Sequence, residues 1–277
     1  MTPRLNQGIL FVSIGKKTLV SNYYCPAEQI MAKTLAGKVA LVTGGSRGLG
    51  AAIALRLAQD GAAVALTYTS SPQKADEVVR VIEAAGGSSL AIRADSADVE
   101  AIKHAVTETV KTFSRLDILV NNAGVATLAP IEQFSMDEFD RLIAVNVKGV
   151  FVATQEAIRH MGEGGRIIMI GSVNSDSTPF AGLSVYALTK GAIASFTRGL
   201  ARDLGPRGIT VNNIQPGPID TDLNPADGPF ADGLKKIIAL GRYGQSDEVA
   251  GMVSYLASPE AAFITGASLK IDGGFTA

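Results

Sequence analysis

Tyr186 and Lys190, in the run Tyr186-Ala-Leu-Thr-Lys190, are a pair whose types and spacing point to proton chemistry. On a helix that spacing is one turn, so the phenol and the ammonium share a face and can reach one ligand together. A phenol titrating near 10 is a poor acid–base group at neutral pH, and a neighbouring cation favours its ionised form. The same spacing also fits an ordinary helix face, so other residues must decide between the two.

The run Thr43-Gly44-Gly45-Ser46-Arg47-Gly48-Leu49-Gly50 follows an apolar stretch and leads into a helical pattern. Gly44, Gly48 and Gly50 then fall at a tight turn and a helix start, where free N–H groups and the positive end of the helix dipole suit a pyrophosphate. Ser46, Arg47 and Leu49 complete that loop. A dinucleotide with a free ribose 2′-hydroxyl is selected by an acidic residue about 20 positions later. Here the stretch is Thr67-Tyr68-Thr69-Ser70-Ser71 and carries no carboxylate. The hydroxyls of Tyr68, Thr69 and Ser70, with the cation of Arg47, suit a 2′-phosphate, so NADP(H) is expected over NAD(H).

Composition narrows the remaining classes. With 25 Lys plus Arg against 26 Asp plus Glu, the net charge of −1 removes the electrostatic case for nucleic acid. No run reaches the roughly 18 to 20 apolar residues of a bilayer span. One cysteine, Cys25, makes no internal disulfide, and His104 and His160 are too few and too far apart for a His-rich metal site.

Positioning these groups falls to alternating elements. Short apolar runs start at Val39, Ala63, Leu90, Asp117, Arg166, Ile209 and Ser268. Between them, apolar residues recur at three- and four-residue spacing over 51–59, 75–85, 101–113, 137–161, 185–204 and 247–257. Apolar strands separated by helices require a parallel sheet covered on both faces. The expected fold is therefore α/β, a doubly wound, parallel, seven-stranded sheet in a single domain. A Pro-rich irregular stretch around Pro216 to Pro229 is a candidate lid. Residues 1–30 show no long period, and we assign them no structure. They are expected to be an N-terminal extension outside the core, with the domain at 31–277 and Met31 as the functional start.

In order, these motifs resemble the short-chain dehydrogenase/reductase family over residues 36–277. The resemblance rests on the Thr43–Gly50 loop, Asp95, Asn121-Asn122-Ala123-Gly124, Asn146, Ser172, Tyr186 with Lys190, and Pro216-Gly217. It implies a Rossmann fold and a cytoplasmic homotetramer, without metal, that interconverts a carbonyl and an alcohol by hydride transfer. Carried over by position, Tyr186 is the general acid in reduction and Ser172 a hydrogen-bond donor to the carbonyl oxygen. Lys190 holds the nicotinamide ribose and lowers the phenol pKa, while Asn146 interrupts its helix and holds a water leading to Lys190. Asp95 and Ser96 face adenine, and Asn122, Ala123 and Gly124 line the adenosine side. Pro216, Gly217, Ile219 and Thr221 seat the nicotinamide carboxamide.

The substrate stays open at this point. The chain is most like 3-oxoacyl-[acyl-carrier-protein] reductases, with Arg207 matching one of two arginines those enzymes use against the acidic carrier. The other is replaced by Glu163, which would repel such a partner. A small ketone, sugar or other carbonyl is an equal alternative. A catalytically idle dinucleotide sensor is a third reading, opposed by the intact Ser172, Tyr186 and Lys190.

Overall fold

The computed structural model describes residues 12–14, 17–19, 33–222 and 224–277. The chain divides into two units at Ala32/Lys33. In the first, β1 (Val12–Ile14) and β2 (Lys17–Leu19) pair antiparallel, Val12 opposite Leu19 and Ile14 opposite Lys17. This corrects the expectation of no structure in that stretch. Three-residue strands are too short for alternation to stand out in a sequence.

The second unit holds seven strands: β3 (Val39–Val42), β4 (Ala63–Tyr68), β5 (Ser89–Arg93), β6 (Ile118–Asn121), β7 (Arg166–Ile170), β8 (Thr210–Pro216) and β9 (Ser268–Ile271). They lie in the order β5-β4-β3-β6-β7-β8-β9, every neighbouring pair parallel. The side chains explain why. Ala40, Val42, Val64, Leu66, Ile118 and Val120 enter one apolar cluster, whereas Leu41, Ala65 and Leu119 between them enter the other. Both faces of each strand are therefore buried, the condition that parallel strands need. Helices α1 (Gly48–Gln59), α2 (Pro72–Ala84) and α8 (Ser246–Ala257) supply the first cluster; α3 (Val99–Phe113), α5 (Val150–Ala157) and α6 (Ser184–Leu204) supply the second. No described helix is long and apolar enough to cross a membrane.

The chain lays down β3, β4 and β5 outward and then returns to place β6 against β3, with Val42 opposite Val120. Strand order reverses there, so the loops leaving β3 and β6 diverge to opposite faces and open a crevice at their carboxyl ends. Two elements depart from the expected pattern. The helix expected over 137–161 is broken into α4 (Met136–Ile143), a π-helical turn at Ala144–Gly149, and α5. The stretch after β8 is followed by a short helix, α7 (Ala231–Ile237), whose Ala231 packs with Ile238, Tyr243 and Phe275 in a small core of its own.

Candidate active site

The turn after β3 is shaped by what will not fit elsewhere. Gly44 and Gly48 have φ of 64° and 51°, in the left-handed region that favours glycine. A β-carbon on Gly50 would collide with the Gly44 carbonyl and the Asn122 side chain. The turn is pinned to β4 by Gly44 N–H donating to Thr67 Oγ1 and Gly45 N–H to Thr67 O, both at 2.9 Å. Asn122 Nδ2 donates to the carbonyls of Thr43 and Gly44 at 2.9 and 3.1 Å, and Thr43 Oγ1 accepts from the N–H groups of Asn122 and Ala123. The loops leaving β3 and β6 are thus knotted together across the crevice. Helix α1 starts with an extended Arg47, no side-chain cap and no acidic residue in its first turn, leaving its N–H groups for an anion.

The region expected to choose the dinucleotide is mostly where sequence reasoning put it. Tyr68 ends β4, and Thr69 and Ser70 are exposed beyond it. Ala94 N–H donates to Tyr68 O, which brings the exposed Asp95 and the half-buried Ser96 to the same edge of the sheet. A β-carbon on Gly149 would collide with Ser96 O, so glycine there lets the loop lie against the π-helical turn. Sequence reasoning missed two residues at this rim. Lys74 in α2 pairs with Asp222, from the loop after β8, at 2.8 Å. Lys74 lies just outside the helical segment expected over 75–85, and nothing in the sequence brings position 222 to it.

The proton-transfer candidates meet at the crevice's inner end. Lys190 is buried, and its Nζ donates to Ile170 O at 2.8 Å, at the end of β7. It lies 5.7 Å from the centre of the Tyr186 ring. Asn146 sits in the π-helical turn, buried, where Nδ2 donates to Val125 O at 2.8 Å and Thr189 Oγ1 at 3.1 Å and Oδ1 accepts from Val125 N–H at 2.9 Å. Thr189 Oγ1 in turn donates to Tyr186 O. A β-carbon on Gly124 would lie 3.6 Å from both Asn146 Oδ1 and Lys190 Nζ, so Gly124 borders this group with no side chain in the way. Ser172 follows β7, and its Oγ accepts from Asn174 N–H and donates to Asn174 Oδ1. Ser172 and Tyr186 are 14 positions apart, spanned by a 3₁₀ turn at Val173–Ser175 and the loop ahead of α6.

The electrostatics differ from the sequence expectation in one respect. The protein around the half-buried Tyr186 pushes its phenol above the usual value, and the Ser172 hydroxyl pulls only partly against this. Burial brings Lys190 down to about 8. The lysine proton is directed at a carbonyl and the cation lies by the ring, so desolvation outweighs the downward pull expected on the phenol.

On the other wall, Gly217 N–H donates to Ile271 O, and a β-carbon on Gly217 would lie 2.6 Å from Asp272 Cβ. Pro216 ends β8, and Ile219 is buried and bridges to Gly244. Thr221 turns back over the glycine loop, 3.8 Å from where a Gly48 β-carbon would be. The sequence-selected residues therefore lie at strand ends and in the loops that follow them, in the first turns of α1 and α6, and in the π-helical turn.

Residues 44–276 match the family model described as enoyl-(acyl carrier protein) reductase. A short-chain dehydrogenase/reductase from Serratia marcescens BCRC 10948 is 59% identical, with a TM-score of 0.87 over 88% of this chain and 100% of that one. A short-chain dehydrogenase from Burkholderia cenocepacia J2315, solved in complex with NADP, is 52% identical with the same TM-score, over 88% and 100%. The cyclic-di-GMP-binding biofilm dispersal mediator protein of Escherichia coli K12 is 49% identical over 87% of this chain and 98% of that protein. With its parallel sheet, glycine turn and gathered Ser172, Tyr186 and Lys190, the chain belongs to the short-chain dehydrogenase/reductase family of oxidoreductases.

Proposed function

We propose that the protein is an NADP(H)-dependent reductase of a free small-molecule ketone. The observation that carries this is the convergence of Ser172, Tyr186, Lys190 and Asn146 beside a glycine turn whose helix N-terminus is left open. The turn at Gly44–Gly50 would hold the pyrophosphate, Asn122 to Gly124 the adenosine side, Asp95 and Ser96 the adenine, Lys190 the nicotinamide ribose, and Pro216, Gly217, Ile219 and Thr221 the carboxamide. The bound dinucleotide supplies the hydride to the carbonyl carbon. Tyr186 gives its phenolic proton to the carbonyl oxygen, and Ser172 donates a hydrogen bond to that oxygen as negative charge develops on it. A phenol pushed above its usual pKa is fully protonated at neutral pH, the form that reduction consumes. Asn146 holds the π-helical turn and the Val125 backbone against Thr189 and so fixes the floor under Lys190. The NADP bound by the Burkholderia relative supports the cofactor assignment.

A carrier-bound acyl substrate is the weaker reading. Arg207, which would meet the acidic carrier, instead donates to the carbonyls of Ile158 and Met161 at 2.7 and 2.8 Å. The Glu163 side chain packs beside Gly208, placing a carboxylate where the second cation would be needed. Tyr186→Phe tests the mechanism, measured on ketones, β-ketoesters and an acyl-carrier substrate. Reduction should fall by about 10² to 10⁴-fold, the range of general acid catalysis, while NADPH still binds. Near wild-type turnover in the variant overturns the mechanism, and turnover of only the carrier-bound substrate overturns the substrate class.

Fluorescence titration of both cofactors tests the second half. NADPH should bind more tightly than NADH by about 1 to 3 kcal/mol, the worth of a hydrogen bond to a charged group, and Arg47→Ala should shrink the gap. Equal affinities would refute the NADP assignment. Cyclic-di-GMP belongs in the same titration because of the Escherichia coli relative's name. Its displacement of NADPH, with no ketone reduced, would favour the sensor reading instead.

A further inference from the structure

The carboxylate missing from the end of β4 is delivered by another part of the chain. Asp222, in the loop that leaves β8, has Oδ2 2.8 Å from Nζ of Lys74, the third residue of α2, across 148 positions of sequence. Its neighbour Thr221 packs toward Gly48, next to Arg47. The Lys74 hydrogen bond and charge hold the Asp222 carboxyl below the usual range, with a smaller contribution from the Arg47 charge. Helix α2 begins after Ser71 with no side-chain cap and no acidic residue in its first turn. Arg47, Ser70, the start of α2 and Lys74 therefore form one positive rim at the carboxyl edge of β4, with Asp222 as its countercharge.

Both partners of the pair are about half exposed, at 50% and 57% of their side-chain surface. An ion pair so placed is weak and easily exchanged. A phosphate carries more charge than a carboxylate and three acceptor oxygens, so it competes well for the same ammonium.

We propose that Lys74 is a second cation for the cofactor's 2′-phosphate and that Asp222 is the anion it leaves, so that this pair sets the choice between NADPH and NADH. This rests on the NADP reading above. A cofactor without the 2′-phosphate leaves the pair intact and gains nothing from Lys74. With Lys74 neutralised, Asp222 faces the phosphate unshielded, and repulsion adds to the lost attraction. With Asp222 neutralised, Lys74 and Arg47 are both released to the phosphate.

Dissociation constants for NADPH, NADH and 2′,5′-ADP decide this, measured by fluorescence for the first two and calorimetry for the third, on wild type, Lys74→Gln, Lys74→Arg, Asp222→Asn and the Lys74→Gln/Asp222→Asn double variant. We expect Lys74→Gln to weaken NADPH and 2′,5′-ADP by about tenfold and NADH by less than twofold. Asp222→Asn should tighten the two phosphate-bearing ligands by about threefold, Lys74→Arg should retain wild-type affinity, and the double variant should recover part of the loss. All of these differences should shrink as salt is raised. Equal effects on NADPH and NADH, or no effect of Lys74→Gln on 2′,5′-ADP, overturn the proposal while wild type still prefers NADPH. A wild type with no such preference would instead fail the cofactor reading itself.

Discussion

Lys190 shows how burial sets the working range of a single residue. The residue is 6% exposed, and burial brings its amine down to about 8, well under the free value near 10.5. Between those two pH values an unfolded chain still carries the proton that the folded one has lost. Folding therefore releases a proton there, and the stability contributed by this group rises from pH 8 to 10.5 and is lost as pH falls through 8. Tyr186 does not confuse the window, because its phenol is pushed upward and ionises later. Chemical denaturation from pH 7 to 10 should show wild type gaining stability relative to Lys190→Met, by on the order of 3 kcal/mol at the top of the range. Parallel curves for the two proteins would mean that the amine keeps an ordinary pKa. The Tyr186–Lys190 pair was legible in the sequence because one helical turn links its members. The Lys74–Asp222 pair was not, because only the fold brings residues so distant in sequence together.

At the scale of elements, Asn122 is the knot between β3 and β6. Asn122→Ala removes two donors and leaves the carbonyls of Thr43 and Gly44 without them. An unsatisfied partner of this kind costs about 1 to 3 kcal/mol, to be read from the urea midpoint, and dinucleotide affinity should fall with it. An unchanged midpoint would show that the turn holds its shape without the knot. All seven strands of the sheet were legible, since near-continuous apolar runs such as Arg166–Ile170 have few other uses. The break at Ala144–Gly149 was not visible in the period, which continues on both sides of it. Its partners, the Val125 backbone and Thr189, lie in other elements, so only the resemblance to a family pointed to it. Helix α7 was missed because seven residues after a Pro- and Gly-rich run carry too little pattern to read.

For the whole molecule, the apolar core among the described residues begins at Leu35, and its two large clusters sandwich the sheet. On the reading that residues 1–30 stand outside that core, a chain starting at Met31 should keep its turnover. Its melting temperature should stay within about 2 °C, a shift of less than ~1 kcal/mol for a protein of this size. A clear drop on heating would place the β1–β2 pair among the stabilising elements. The opposite end behaves differently. Strand β9 closes the sheet beside β8, Asp272 backs Gly217, and Gly273 O accepts from Leu240 N–H. The wall that would seat the nicotinamide is thus braced by residues 271–273, which a ribosome adds after every other element of the sheet. During synthesis the residues of the glycine turn leave the ribosome early and the brace of the opposite wall late, so the two walls of the crevice face each other in finished form only once β9 has been made.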